Sequence, residues 1–188
     1  MTDQVIRRPS IADSLRANWG WFLALGIVFI VGGAFAIAMP LIGGVAVTLV
    51  VGWSLIFVGT LQLVQAWRIR SSGAFIWQLI IGLIVLVGGL AMIVNPIVAT
   101  VTLTLLLGVI FLAKGIVQLF LGLRLRPHEA WGWIVAAGGL AAIVGILILL
   151  SWPSSAGWAL GTLAGISLIF SGWSYVMIAL AARRLAMR

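Results

Sequence analysis

Six apolar runs, at about 19–39, 43–66, 76–95, 98–122, 131–151 and 156–182, follow one another with only short polar breaks. Inside hydrocarbon a backbone has no water to bond, so each run must satisfy its own N–H and C=O groups. An α-helix does so, and at 1.5 Å per residue about 20 residues cross a core of ~30 Å. The runs therefore predict an all-α membrane protein with six transmembrane helices. Charge content agrees: 7% of residues are charged, against roughly a quarter in soluble domains. A single membrane domain over 19–184 is expected, with cytoplasmic segments at 1–18 and 185–188 and no room for a soluble domain. The first run is too long for the apolar part of a signal peptide. Arg7-Arg8 is followed by Pro9 and Ser10 and so lacks a twin-arginine context.

The runs are copies of one another. Displaced by 56 residues, Trp21, Gly26, Gly32, Gly33 and Pro40 fall on Trp77, Gly82, Gly88, Gly89 and Pro96. The same displacement carries Thr48, Gly52, Gly59, Gln62, Arg68 and Arg70 onto Thr104, Gly108, Gly115, Gln118, Arg124 and Arg126. A third, degenerate copy holds Trp133, Gly138 and Gly145, with Val144 at a glycine position. After one inserted residue it continues through Pro153, Gly161, Gly165, Gly172, Tyr175 and Arg183. The expectation is three parallel repeats of a helical hairpin, about 19–70, 76–126 and 131–184, each copy having the same orientation.

Basic residues set that orientation. Arg7, Arg8 and Arg16 precede the first span, and Arg68, Arg70, Arg124, Arg126, Arg183, Arg184 and Arg188 follow the even-numbered ones. The connections around Pro40, Pro96 and Pro153 carry no charge. By the positive-inside rule both termini are cytoplasmic. The net charge of +8 is then juxtamembrane. Its partner is the bilayer, with anionic lipids at the cytoplasmic face, and not nucleic acid. Trp19, Trp21, Trp67, Trp77, Trp131 and Trp133 sit at the inner span ends, Trp152 and Trp158 at the outer ones, as an aromatic belt.

Within the even-numbered spans, small residues recur at steps of four and seven and so share a helical face. Gly52 and Gly59 are followed by Gly108 and Gly115, then by Gly157, Gly161, Gly165 and Gly172. Such stripes let backbones approach in lipid, so they are expected at helix contacts, within the bundle or toward a second subunit. Gln62, Gln118 and Tyr175 occupy one repeat position and are expected to hydrogen-bond across the bundle. Lys114 breaks the symmetry, its equivalents being Val58 and Ser171. It has two readings. Its aliphatic stem can carry the ammonium toward the cytoplasmic boundary, or, as an intramembrane ionisable group, it marks a functional site together with Gln62, Gln118 and Tyr175.

Other chemistry lacks its residues. Asp3, Asp13 and Glu129 are the only acids and His128 the only histidine, all outside the spans, and cysteine is absent. No proton relay, catalytic constellation, metal site or cofactor cradle is expected.

The Trp-led helix with paired glycines ending at proline, followed by a glycine-striped helix, resembles the HdeD family of bacterial acid-resistance membrane proteins. The residues carrying the likeness are Trp21, Gly26, Gly32, Gly33, Pro40, Gly52 and Gly59 with Trp77, Gly82, Gly88, Gly89, Pro96, Gly108 and Gly115. The third copy contributes Trp133, Gly138, Gly145, Pro153, Gly165 and Gly172. The resemblance implies a six-span inner-membrane protein of the stress response, non-enzymatic, with a structural or partner-binding role in acid tolerance. The alternative reading is a small transporter or channel with a path between the hairpins. A membrane-protein partner or homo-oligomer is compatible with either.

Overall fold

A computed structural model describes residues 19–68, 73–126 and 131–186 of the chain. These residues form six long helices: α1 (Trp19–Ala38), α2 (Pro40–Arg68), α3 (Phe75–Val94), α4 (Pro96–Arg124), α5 (Trp131–Leu150) and α6 (Ala159–Ala186). All six are long and apolar enough to cross a membrane, and no strand occurs among the described residues. Arg7, Arg8, Arg16, Arg70, Arg188, Asp3, Asp13, His128 and Glu129 lie outside the described residues.

Burial is inverted relative to a water-soluble protein. Buried positions along the helices are mostly glycine, alanine and threonine, while Trp21, Phe57, Ile84, Phe120 and Leu150 are exposed. Large apolar side chains turned outward match a hydrocarbon solvent, where association rests on close packing of small residues and not on hiding apolar area. The chain is a multi-pass membrane protein.

Pro40 and Pro96 are the first residues of α2 and α4, where a missing N–H costs nothing. Only Met39 and only Asn95 separate those helices from α1 and α3. The third such connection is longer. It runs from Ser151 through a 3-10 turn, Ser154–Gly157, before α6 begins. Below, these junctions mark the proline end, and the opposite ends, with Arg68, Arg124 and Arg183, the arginine end.

Two compact units divide the described chain: α1 with the part of α6 from Leu163 onward, and Met39–Thr162. In the second unit the tight pairs are α2 with α3 and α4 with α5; in the first, α6 packs on α1. Close packing therefore joins the second helix of one repeat to the first helix of the next, with the last repeat returning to the first. Consecutive α3 and α4 instead flank an open apolar groove of about 630 Å³ lined by Val87, Gly88, Ala91, Asn95, Val98 and Thr102.

Candidate functional site

The three seams share one geometry. A Cβ added at Gly89 would lie 2.8 Å from the Gly52 carbonyl oxygen, one at Gly145 would lie 2.9 Å from that of Gly108, and one at Gly33 2.6 Å from that of Gly165. Further along, Gly59 faces the Leu86 backbone at 2.7 Å, Gly115 the Ala142 backbone nitrogen at 2.5 Å, and Gly172 the Gly26 carbonyl at 2.6 Å. Backbone meets backbone at these six glycines, a spacing that only glycine permits and that favours Cα–H···O contacts. The seams also explain a departure in the third repeat. Gly32 and Gly88 have open space where a Cβ would go, and their equivalent is Val144. The second glycine of each pair is the one that packs.

Two of the stripe glycines behave differently from the rest. Gly161 lies against the Pro40 backbone at the start of α2, so closely that a side chain could not enter. Gly157, expected from its spacing to extend the helical stripe, belongs instead to the 3-10 turn, is exposed, and has nothing within 4 Å of a Cβ position. The longer connection after α5 delays the start of α6 to Ala159, past the position where the sequence pattern places helix.

At the proline end the helices of the 39–162 unit converge on a buried hydroxyl cluster. Thr48, Thr100, Thr104 and Ser155 are at most 1% exposed. The Thr48 and Thr100 hydroxyl oxygens stand 2.8 Å apart, and they lie 2.9 Å from the Gly44 carbonyl and 2.7 Å from the Pro96 carbonyl respectively. Two protons serve three contacts, so whichever hydroxyl donates to the other gives up its own carbonyl. Thr104 donates to the Thr100 carbonyl at 2.8 Å. Ser155 donates to the Ile148 carbonyl at 2.9 Å and Trp152 Nε1 to the Val101 carbonyl at 3.2 Å, which ties the last connection to α5 and α4. Sequence reading passed over Thr100 and Ser155. Thr100 replaces glycine at its repeat position (Gly44, Gly157), and a hydroxyl that can bond its own helix leaves no pattern to read.

The polar residues singled out earlier lie on different seams. Gln62 and Gln118 are half-buried, their Cβ atoms 3.2 Å and 2.8 Å from Cβ positions at Gly82 and Gly138. Gln62 Oε1 is buried with no hydrogen-bond partner among the described residues. Tyr175 is half-buried on the α1–α6 seam between two rings, stacked on Phe22 at 6.5 Å and edge-on to Phe29 at 5.6 Å. Lys114 is exposed on α4, one turn from Gln118. The structure thus brings Lys114 and Gln118 near each other along one helix, and leaves Gln62 on the α2–α3 seam.

At the arginine end, guanidinium groups cover tryptophan rings. Arg126 lies 4.0 Å from the Trp131 ring centre and Arg183 5.2 Å from that of Trp19, at matching repeat positions. Such cation–π contacts hold basic side chains at an interface. Groups of three or more His, Cys, Asp or Glu that could hold a metal are absent among the described residues.

Six apolar helices with glycine seams repeated along the chain define a multi-pass membrane protein built by internal duplication. The chain belongs to the family described as a short repeat of unknown function (DUF308), whose model matches residues 24–94 and 80–150. The two matches are offset by the same 56 residues as the internal repeat, and each runs over three helices and takes in one complete seam. No curated protein and no solved structure matches the chain.

Proposed function

We propose that this protein is a non-enzymatic component of a bacterial inner membrane, with both termini cytoplasmic. Its role is structural or partner-binding, in tolerance of external acid, as the HdeD-like repeat pattern suggests. The observation that carries the reading is the proline end, which the basic residues would place outside the cell. Its interior is closed by hydroxyl and carbonyl groups alone, and the described residues include no Asp, Glu or His.

Acid unfolds proteins chiefly through carboxylates whose folded pKa is depressed and through histidines buried neutral. The stability held by such a carboxylate is present above its unfolded pKa and lost as pH falls through the folded one. A face without these groups has no such stability to lose. Hydroxyls and amides keep their charge across the whole range. The test is to reconstitute the protein in vesicles with the proline end outward and acidify only the outer bath to about pH 3, below ordinary carboxylate pKa values. Retained helicity and retained protection of the proline end from protease are expected. Unfolding under outer acid alone defeats the reading.

The transporter reading is favoured by one observation, the change in burial along α2 and α4 taken up next. In the present arrangement the Thr48–Thr100 contact closes the space between those helices at the proline end.

A further inference from the structure

Steps of three and four residues trace one face along α2 through Gly44, Val47, Val51, Ser54 and Val58, and the equivalent face along α4 through Thr100, Leu103, Leu107, Ile110 and Lys114. At the proline end these faces meet: the Thr100 methyl lies 3.4 Å from a Cβ position at Gly44. Burial then falls in the same order on both helices. Gly44 and Thr100 are buried, the next two positions on each half-buried, and the last two, Ser54 and Val58 or Ile110 and Lys114, exposed. The two faces thus touch at the proline end and are exposed toward the arginine end, with Lys114 on the exposed part of α4.

Depth argues against a lysine lying among lipid tails. Gly122 of α4 is level with Trp131, the first residue of α5, whose carbonyl is 3.3 Å from a Cβ position at Gly122. Lys114 is eight residues further in, about 12 Å at helical rise. A lysine stem covers about 6 Å, and helical side chains lean toward the N-terminus, here toward the proline end. The ammonium therefore stops short of the boundary. An isolated charge at that depth needs water or a counter-charge, and the described residues contain no carboxylate. Ala113 and Gly115 flank the lysine without bulk, and Gln118 supplies amide N–H donors one turn toward the arginine end.

We propose that Lys114 binds an oxyanion, a phosphate or carboxylate group, in a water-accessible recess between α2 and α4 that opens at the arginine end and is shut at the proline end. The inference does not depend on the acid-tolerance reading. The anion could arrive as a free solute or as a lipid headgroup, and a property of the chain separates the two. Lys114 is the only lysine, so one ε-amine reports on the site, distinguished from the α-amine by peptide mass.

The full chain in phosphatidylcholine nanodiscs is treated with a water-soluble, bilayer-impermeant amine reagent. Modification of Lys114 is expected, slowed several-fold by inorganic phosphate but not by chloride of equal ionic strength. If the anion is a headgroup, the same protection arises in discs containing phosphatidylglycerol without added phosphate. Reaction only with a membrane-soluble reagent overturns the proposal, as does impermeant labelling that neither phosphate nor phosphatidylglycerol slows. In a second measurement, equilibrium binding of labelled phosphate or phosphatidylglycerol is lost in Lys114→Met while helix content stays unchanged. Binding that survives the substitution also overturns it.

Discussion

Where α2 and α4 meet, a threonine hydroxyl of one helix reaches a threonine hydroxyl of the other at 2.8 Å, and the Gly161 and Pro40 backbones touch beside them. Fourteen residues beyond Thr100 on the same side of α4, the surface is exposed and carries Lys114. The burial change recurs on α2, so it follows from position along the helices, and two departures from the repeat add chemistry to it. Thr100 stands where the other copies have glycine, and Lys114 where they have valine and serine. One departure adds a short hydroxyl that fills and bonds a contact; the other adds a long cation to a face that is exposed there. A duplicated bundle can bond one end of a face and place a charge at the other by changing one residue in each place.

The largest expected break in this contrast is Gly161→Ala. A methyl there meets Pro40 backbone and not a flexible side chain, so the proline end must open, at a cost of about 1–3 kcal/mol or more. A lowered thermal midpoint in detergent, with protease cleavage appearing near Met39, checks it; an unchanged midpoint contradicts the closure. Thr100→Val follows in size. The shape is kept and the hydroxyl removed, and polar contacts between membrane helices average about 0.6 kcal/mol, at most ~1.7. Thr48 keeps the Gly44 carbonyl, which holds the loss to that range. The smallest is Gly88→Ala, which places a methyl in open space and should shift stability by less than about 0.5 kcal/mol. Gly89→Ala, one residue on, meets the Gly52 carbonyl and the Ile56 nitrogen at 2.8 Å each and should cost far more. Equal effects at Gly88 and Gly89 would refute the seam geometry.

Much of the fold was legible because hydrocarbon imposes a length on each span, and the span limits read from hydropathy fall within a few residues of the helices. The 56-residue period was legible because glycine, tryptophan and proline stand out in apolar sequence. Which helices pair was not. A glycine stripe announces that a face is packed, but it carries the same spacing whether its partner precedes or follows it. Only the connections distinguish the cases, and their meaning depends on the angle at which Met39 or Asn95 turns the chain. Gly157 misled because a repeat pattern takes no account of the longer connection that delays the start of α6 past it. Gln62 and Gln118 were visible as polar residues, yet their place beside Gly82 and Gly138 follows from a register between helices that one strand of text does not contain.

The pairing of α1 with α6 bears on how the protein is made. A ribosome delivers α1 to the membrane before α6, with four other spans in between. Gly26 and Gly33 therefore lack their α6 partners in lipid until that helix has been made. Loss of α6 would strand α1. Quality control that recognises a lone glycine-rich helix would thereby check all six spans by watching only α1.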